Sequence, residues 1–275
     1  MTVRALIFVW AGALLAVIGL SVGLATLYPL PAPDSFPPIA VIGSSRMNFA
    51  VTERGGGSDS LLGDGRPHLR MAEPRISEHA TLLLIEEALD RGAPLIFVEA
   101  NGLLFDFADM AHQRRCDDWT YPTRLFLAER QSQVTRAVRR WRGLHDDRFY
   151  IGDPRPLHNA QKLDPVLLRQ FAPVFVWPPC EQARLDGLVR RAKTQGSRIV
   201  LLLPPRSPAG DAVLGPAFVT TLVAHAKRLA AHTRLEILFF EDGWRNSEFV
   251  DDAHVNAAGR RHFLAEMRRW WKRAG

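Results

Sequence analysis

Cysteine is nearly absent: the chain of 275 residues holds two, Cys116 and Cys180, far apart and without metal-ligand spacing around them. That excludes a zinc ribbon or a disulfide-dense scaffold and leaves two alternatives, one disulfide in an oxidising compartment or two buried thiols. An uninterrupted basic block is also missing. The net charge of +6 is spread over positions such as Arg136, Arg139, Arg140 and Arg142, the pattern of a solvated helix face, so nucleic acid is not the expected partner. No internal repeat stands out, and the one low-complexity tract, Gly55-Gly56-Gly57, reads as a flexible loop. A third absence is local, because residues 5–32 carry no charge at all.

The apolar stretch at residues 5–27 is long enough to cross a bilayer as a helix. Arg4 and the amino terminus are positive and the first acidic residue, Asp34, lies beyond the stretch, which puts the N-terminus in the cytoplasm and the body outside. Gly23-Leu24-Ala25 is a small-x-small triplet that a signal peptidase accepts, so a cleaved secretory signal is the alternative. Both readings export the remainder. The expected layout is a transmembrane signal-anchor at 1–28, a proline-rich spacer at 29–38 that can form neither helix nor central strand, and one domain at 39–275. The corresponding location is a bacterial inner membrane, with the domain in the periplasm.

Ile39, Ala40, Val41 and Ile42 followed by Gly43 form the pattern of a buried strand feeding a tight turn. Ser77 and Glu78 ahead of Leu82, Leu83, Ile85, Ala88 and Leu89 read as a capped helix, ending at Gly92 before a second strand at 94–98. The phrase recurs as a helix near 181–193 before a strand at 198–203, and as a helix near 217–231 before a strand at 235–240. Such alternation implies an α/β three-layer sandwich, a parallel sheet with helices on both faces. A last amphipathic helix near 257–272 carries Phe263, Leu264, Met267, Trp270 and Trp271 on one stripe, as core packing requires. Residues 103–180 form an insertion, with a helix-like segment near 122–141 and a strand candidate at 174–177; it either shapes a substrate or partner surface or is a plain structural excursion.

Two stretches carry chemistry. Gly43-Ser44-Ser45 falls at the carboxyl end of the first strand, where ligands collect in open parallel sheets; its serines serve either as nucleophile or as cap of the next helix. Just before the last helix lies Asp251-Asp252-Ala253-His254-Val255-Asn256, ending in Gly259. A serine hydroxyl becomes a useful nucleophile when an imidazole takes its proton, and the imidazole needs a carboxylate on its other nitrogen. Asp251, three residues before His254, can supply that contact locally and leave the imidazole free to reach a serine on the first strand. Asp252, two residues away, points to the other side of an extended segment, and Asn256 reads as the cap of the last helix. His79, His225 and His232 fall in helices or at their ends and read as structural. Arg206, in a proline-rich loop after a strand, reads as an exposed arginine, with binding of an anionic group as the alternative. No metal or cofactor is expected.

The Gly-x-Ser at the end of the first strand and the Asp-x-x-His before the last helix resemble the first and last blocks of the SGNH (GDSL-like) hydrolases. Gly-Ser-Ser in place of Gly-Asp-Ser, with Asn256 and Gly259 following the histidine, particularly resembles the branch of bacterial polysaccharide O-acetyltransferases and the teichoic acid D-alanyl-transfer protein. The resemblance covers about residues 39–272 and implies a flavodoxin-like fold with Ser45, not Ser44, as nucleophile beside His254 and Asp251. It also implies an oxyanion hole from the Ser45 N–H and the Asn101 side chain. Glu99 and Gly102 depart from the family's Gly-x-Asn-Asp, and residues 70–77 lack the glycine that usually adds a donor. A hole reduced to two donors predicts slow or partner-dependent catalysis. The expected function is transfer of an acyl group, acetyl above all, to a glycan acceptor on an exported polysaccharide. The acyl donor would come from a multi-spanning membrane-bound O-acyltransferase partner. A periplasmic esterase and a non-catalytic scaffold subunit are the alternatives.

Overall fold

The computed structural model describes residues 37–52, 54–72, 76–107, 173–240 and 243–274. The expected span at 1–28, most of the spacer, the helix-like segment near 122–141 and Cys116 lie outside the described residues. Among the described residues no helix is long and apolar enough to cross a membrane.

Six strands form the main sheet: β1 (Ile39–Gly43), β2 (Arg54–Gly57), β3 (Gly65–Ala72), β4 (Leu95–Glu99), β7 (Arg198–Leu203) and β8 (Glu236–Phe239), in the order β2-β3-β1-β4-β7-β8. All neighbours are parallel except β2, which runs antiparallel to β3 at the edge. Alternate residues of the central strands face opposite layers, as the period of two demands. Ala40, Ile42, Ile96, Val98, Ile199 and Leu201 pack with α2 (Glu78–Asp90), α4 (Gln182–Gln195) and α6 (Pro216–Thr233). Ile39, Val41, Leu95, Phe97, Val200 and Leu202 pack with α1 (Ser45–Ala50) and α7 (Ala257–Ala274). The structure is thus the three-layer α/β sandwich expected from the recurring phrase. Ser77 caps α2 by accepting from the N–H of Ala80 at 3.2 Å, and Phe263, Met267 and Trp270 are the buried stripe of α7.

Two expectations are corrected. Gly55-Gly56-Gly57 is not a loop but most of β2, and β3 is a strand where none was expected. The inward-facing residues of β3 are His68 and Arg70, both buried, so no apolar alternation marks it. The end of α1 and the chain after it meet them: His68 Nε2 lies 3.1 Å from Thr52 Oγ1, with Nδ1 buried without a partner among the described residues, and Arg70 donates to the carbonyls of Asn48 and Val51.

The described ends of the insertion leave and rejoin the body together. After β4 come α3 (Asn101–Leu104) and β5 (Phe105–Phe107), which pairs antiparallel with β6 (Pro173–Phe175) in a separate two-stranded sheet. The strand candidate at 174–177 therefore begins one residue earlier and stops at Phe175. The returning chain is held by the buried Glu78 carboxylate, which accepts from the N–H of Cys180 and of Glu181 at 3.1 and 2.7 Å. Cys180 is disulfide-bonded. His79, inside α2, bonds Glu181 at 2.8 Å.

Candidate functional site

β1 is buried along its whole length and delivers the chain to α1 through Gly43 and Ser44. Gly43 is required by close approach, since a Cβ there would stand 2.3 Å from Met47 Cγ and 2.7 Å from Glu99 Oε2. The two serines differ in position. Ser44 is the extended N-cap, its Oγ accepting from the N–H of Arg46 at 3.2 Å, and Ser45 is the first helical residue. Ser45 Oγ donates to His254 Nε2 at 2.8 Å, a contact between residues 209 apart in sequence.

His254 is held by its own loop. Asp251 Oδ1 accepts from the N–H of Ala253 at 2.9 Å and of His254 at 2.8 Å, while Oδ2 accepts from His254 Nδ1 at 2.7 Å. A carboxylate on Nδ1 requires the proton there, which leaves Nε2 as the acceptor facing Ser45. The loop is closed at its base, where Val250 N–H donates to the His254 carbonyl at 2.8 Å and Asn256 N–H to that of Glu248 at 2.9 Å. Asn256 then caps α7, as expected, accepting from Ala258 and Gly259 N–H at 2.9 and 3.1 Å. Gly259 lets the helix start this close, because a Cβ there would lie 2.1 Å from the Glu248 carbonyl oxygen. The Phe49 ring, on α1, packs against the imidazole with centroids 4.6 Å apart.

Partial burial pushes the Asp251 carboxyl upward, but the His254 hydrogen bond and charge and the two backbone N–H groups outweigh it, so its pKa lies below the ordinary carboxylate value. Arg46, next to Ser45, is pulled below the ordinary arginine value by burial and by Arg206, with Glu99, Asp252 and Asp251 opposing. The Ser45, His254 and Asp251 chain can move a proton from hydroxyl to imidazole and stabilise the imidazolium that results.

Arg206 is a correction: it is not an exposed loop arginine. Its side chain is 7 % exposed and bridges Asp211 and Asp252 at 2.9 Å each. Asp252 therefore pairs with Arg206, while His254 Nδ1 is met by Asp251, and the Asp252 carbonyl accepts from Ser207 N–H at 2.9 Å, joining the loop after β7 to the histidine loop. Asn101 stands at the same sheet edge as Ser45, where α3 begins, and is buried. Its Nδ2 donates to Glu99 Oε1 at 2.6 Å, and no hydrogen bond joins it to Ser45, His254 or Asp251. Glu99 was not foreseen as part of the site, and Arg206 entered only as the alternative reading of its loop; the register of β1 with β4 is the signal that places Glu99 beside Gly43.

No family model matches the sequence. No curated protein matches it either. Among solved structures the chain is similar to a GDSL-like lipase from Bacteroides thetaiotaomicron, 10% identical over 86% of this chain and 88% of that one, with a TM-score of 0.43. TesA is similar at 12% identity over 86% and 98% of the two chains, TM-score 0.43. An acetylxylan esterase from Geobacillus stearothermophilus is 14% identical over 83% and 90%, TM-score 0.40. At such identities the reaction must be argued from the site itself.

Proposed function

We propose that the protein is an SGNH-type serine acyltransferase, in which Ser45, His254 and Asp251 form the acyl-transferring triad and an exported polysaccharide supplies the accepting hydroxyl. The observation that carries this reading is the 2.8 Å contact of Ser45 Oγ with His254 Nε2, completed by Asp251 on Nδ1. His254 takes the Ser45 proton as the hydroxyl attacks the acyl carbon, then returns it to the leaving oxygen; Ser45 is left as an ester. A sugar hydroxyl attacks that ester with His254 again as base, restoring Ser45. The Ser45 N–H and the Asn101 amide are the proposed donors to the oxyanion. The uncharged run at 5–32 supports a membrane anchor, and the disulfide at Cys180 fits an oxidising compartment such as the periplasm. A multi-spanning membrane-bound O-acyltransferase is the proposed source of the acyl group.

One observation favours a second reading, a periplasmic esterase. The side chains of His254 and Asp251 are 22% and 44% exposed, so water can reach the imidazole that activates the acceptor. A scaffold without catalysis has less support, because nothing in a scaffold calls for a hydrogen-bonded serine, imidazole and carboxylate in line. The test is turnover of a chromogenic acetyl ester by the full-length chain in detergent, with and without a glycan acceptor. Acetyl transferred to the glycan supports the transferase, release as acetate alone supports the esterase, and turnover that survives Ser45→Ala contradicts both.

A further inference from the structure

Glu99 is the last residue of β4, 1 % exposed, and has no ion pair among the described residues. A buried carboxylate is tolerated only where donors replace water, and three do so here. Ser44 N–H reaches Oε2 at 2.7 Å, while Ser44 Oγ and Asn101 Nδ2 reach Oε1 at 2.9 and 2.6 Å. One carboxylate therefore ties Ser44, ahead of Ser45, to Asn101 at the exit of the neighbouring strand. Ser44 carries the peptide whose neighbour is the Ser45 N–H. Asn101 leaves β4 two residues beyond Glu99, as Ser45 leaves β1 two residues beyond Gly43, and the parallel register Ile42 to Val98 sets the two exits side by side.

The Asn101 amide has two N–H bonds and one oxygen. Its Oδ1 is buried without a partner, so among the described residues the bond to Glu99 is the one hydrogen bond that fixes the rotation of the amide. A flipped amide would press Oδ1 against the carboxylate. With one hydrogen held by Glu99, the second is left to donate elsewhere.

We propose that Glu99 is a positioning residue, resting on the acyl-serine reading above: it orients the Asn101 amide and the Ser45 turn together, so that two donors are aimed at the oxyanion before substrate arrives. Glu99 touches no reacting atom in this scheme and acts through Asn101 and Ser44.

The test is a double-mutant cycle on the full-length chain with a chromogenic acetyl ester. Asn101→Ala should lower kcat by about 10²- to 10³-fold, the usual cost of one oxyanion donor. Glu99→Gln should lower kcat by about ten- to a hundred-fold with KM changed less than about twofold, because the amide it orients acts on the transition state. The double variant should be slower than Asn101→Ala by less than Glu99→Gln alone costs, because the share that Glu99 exerts through Asn101 is already gone and only its share through Ser44 remains. Glu99→Asp, which keeps the charge but withdraws it by one carbon, is the second variant should Glu99→Gln not fold, and the same non-additivity is expected. Effects that multiply, or a loss confined to KM, overturn the proposal while Ser45→Ala inactivity leaves the acyl-serine reading standing. Turnover that survives Ser45→Ala overturns that reading and the proposal with it.

Discussion

The loop at residues 251–256 and the strand end at residues 43–45 meet at one hydrogen bond but are built on different scales. The histidine loop carries its own scaffold: Asp251 accepts from two N–H groups and an imidazole within three residues, and Asn256 closes the far side by capping α7. The serine turn is completed from elsewhere, by a carboxylate 55 residues away on the neighbouring strand. A segment whose hydrogen bonds are local shows itself in spacing. One finished by a neighbouring strand shows itself once the register is known.

If the local half works as drawn, removing its charge should do the most damage. Asp251→Asn should lower kcat by about 10⁴-fold, the loss seen when a triad imidazole loses its orienting carboxylate. Steady-state kinetics checks this, with melting to show that the fold persists. A loss below about tenfold would mean that the backbone bonds of the loop orient His254 without the acid. The link between the loop and the body can be broken at Arg206. Arg206→Met leaves Asp252 and Asp211 without their cation and should cost about 1–3 kcal/mol of stability by denaturant unfolding, since partly buried acceptors are left unmet. The smallest effect is on acid stability. Because the folded pKa of Asp251 is depressed, its contribution is fully present above the ordinary value near 3.9 and is lost as pH falls through the lower folded value. Asp251→Asn should flatten the acid side of an unfolding-midpoint profile, and an unchanged slope would place the proton elsewhere.

The same distinction of scale explains what the sequence revealed of the fold. The phrases of capped helix, glycine and apolar strand found β1, β4, β7 and β8 with their helices, because Ser77, Gly92 and Gly196 punctuate runs such as Leu95 to Glu99 that are buried on both faces. β3 was missed because its inward positions are His68 and Arg70, and β2 because a glycine run has no side chains from which to read a period. In the site, Asp251, His254 and the cap Asn256 followed from spacing alone, whereas the choice of Ser45 over Ser44 came from family resemblance and is matched by the cap geometry of Ser44. Arg206 was misjudged because a loop rich in proline gives no sign of the two carboxylates that converge on it. Asn101 came from family resemblance and stands where the helix after β4 begins, and its attachment to Glu99 depends on two strand ends lying side by side.

The claim beneath all of this is that the Ser45 hydroxyl becomes acylated because His254 removes its proton. The most direct measurement is intact-mass and peptide mass spectrometry of the chain after brief exposure to an activated acetyl ester at neutral pH. One acetyl group on Ser45 is expected, absent from Ser45→Ala and strongly diminished in His254→Ala. An adduct that forms on another residue, or forms on Ser45 as fast without His254, would contradict the account.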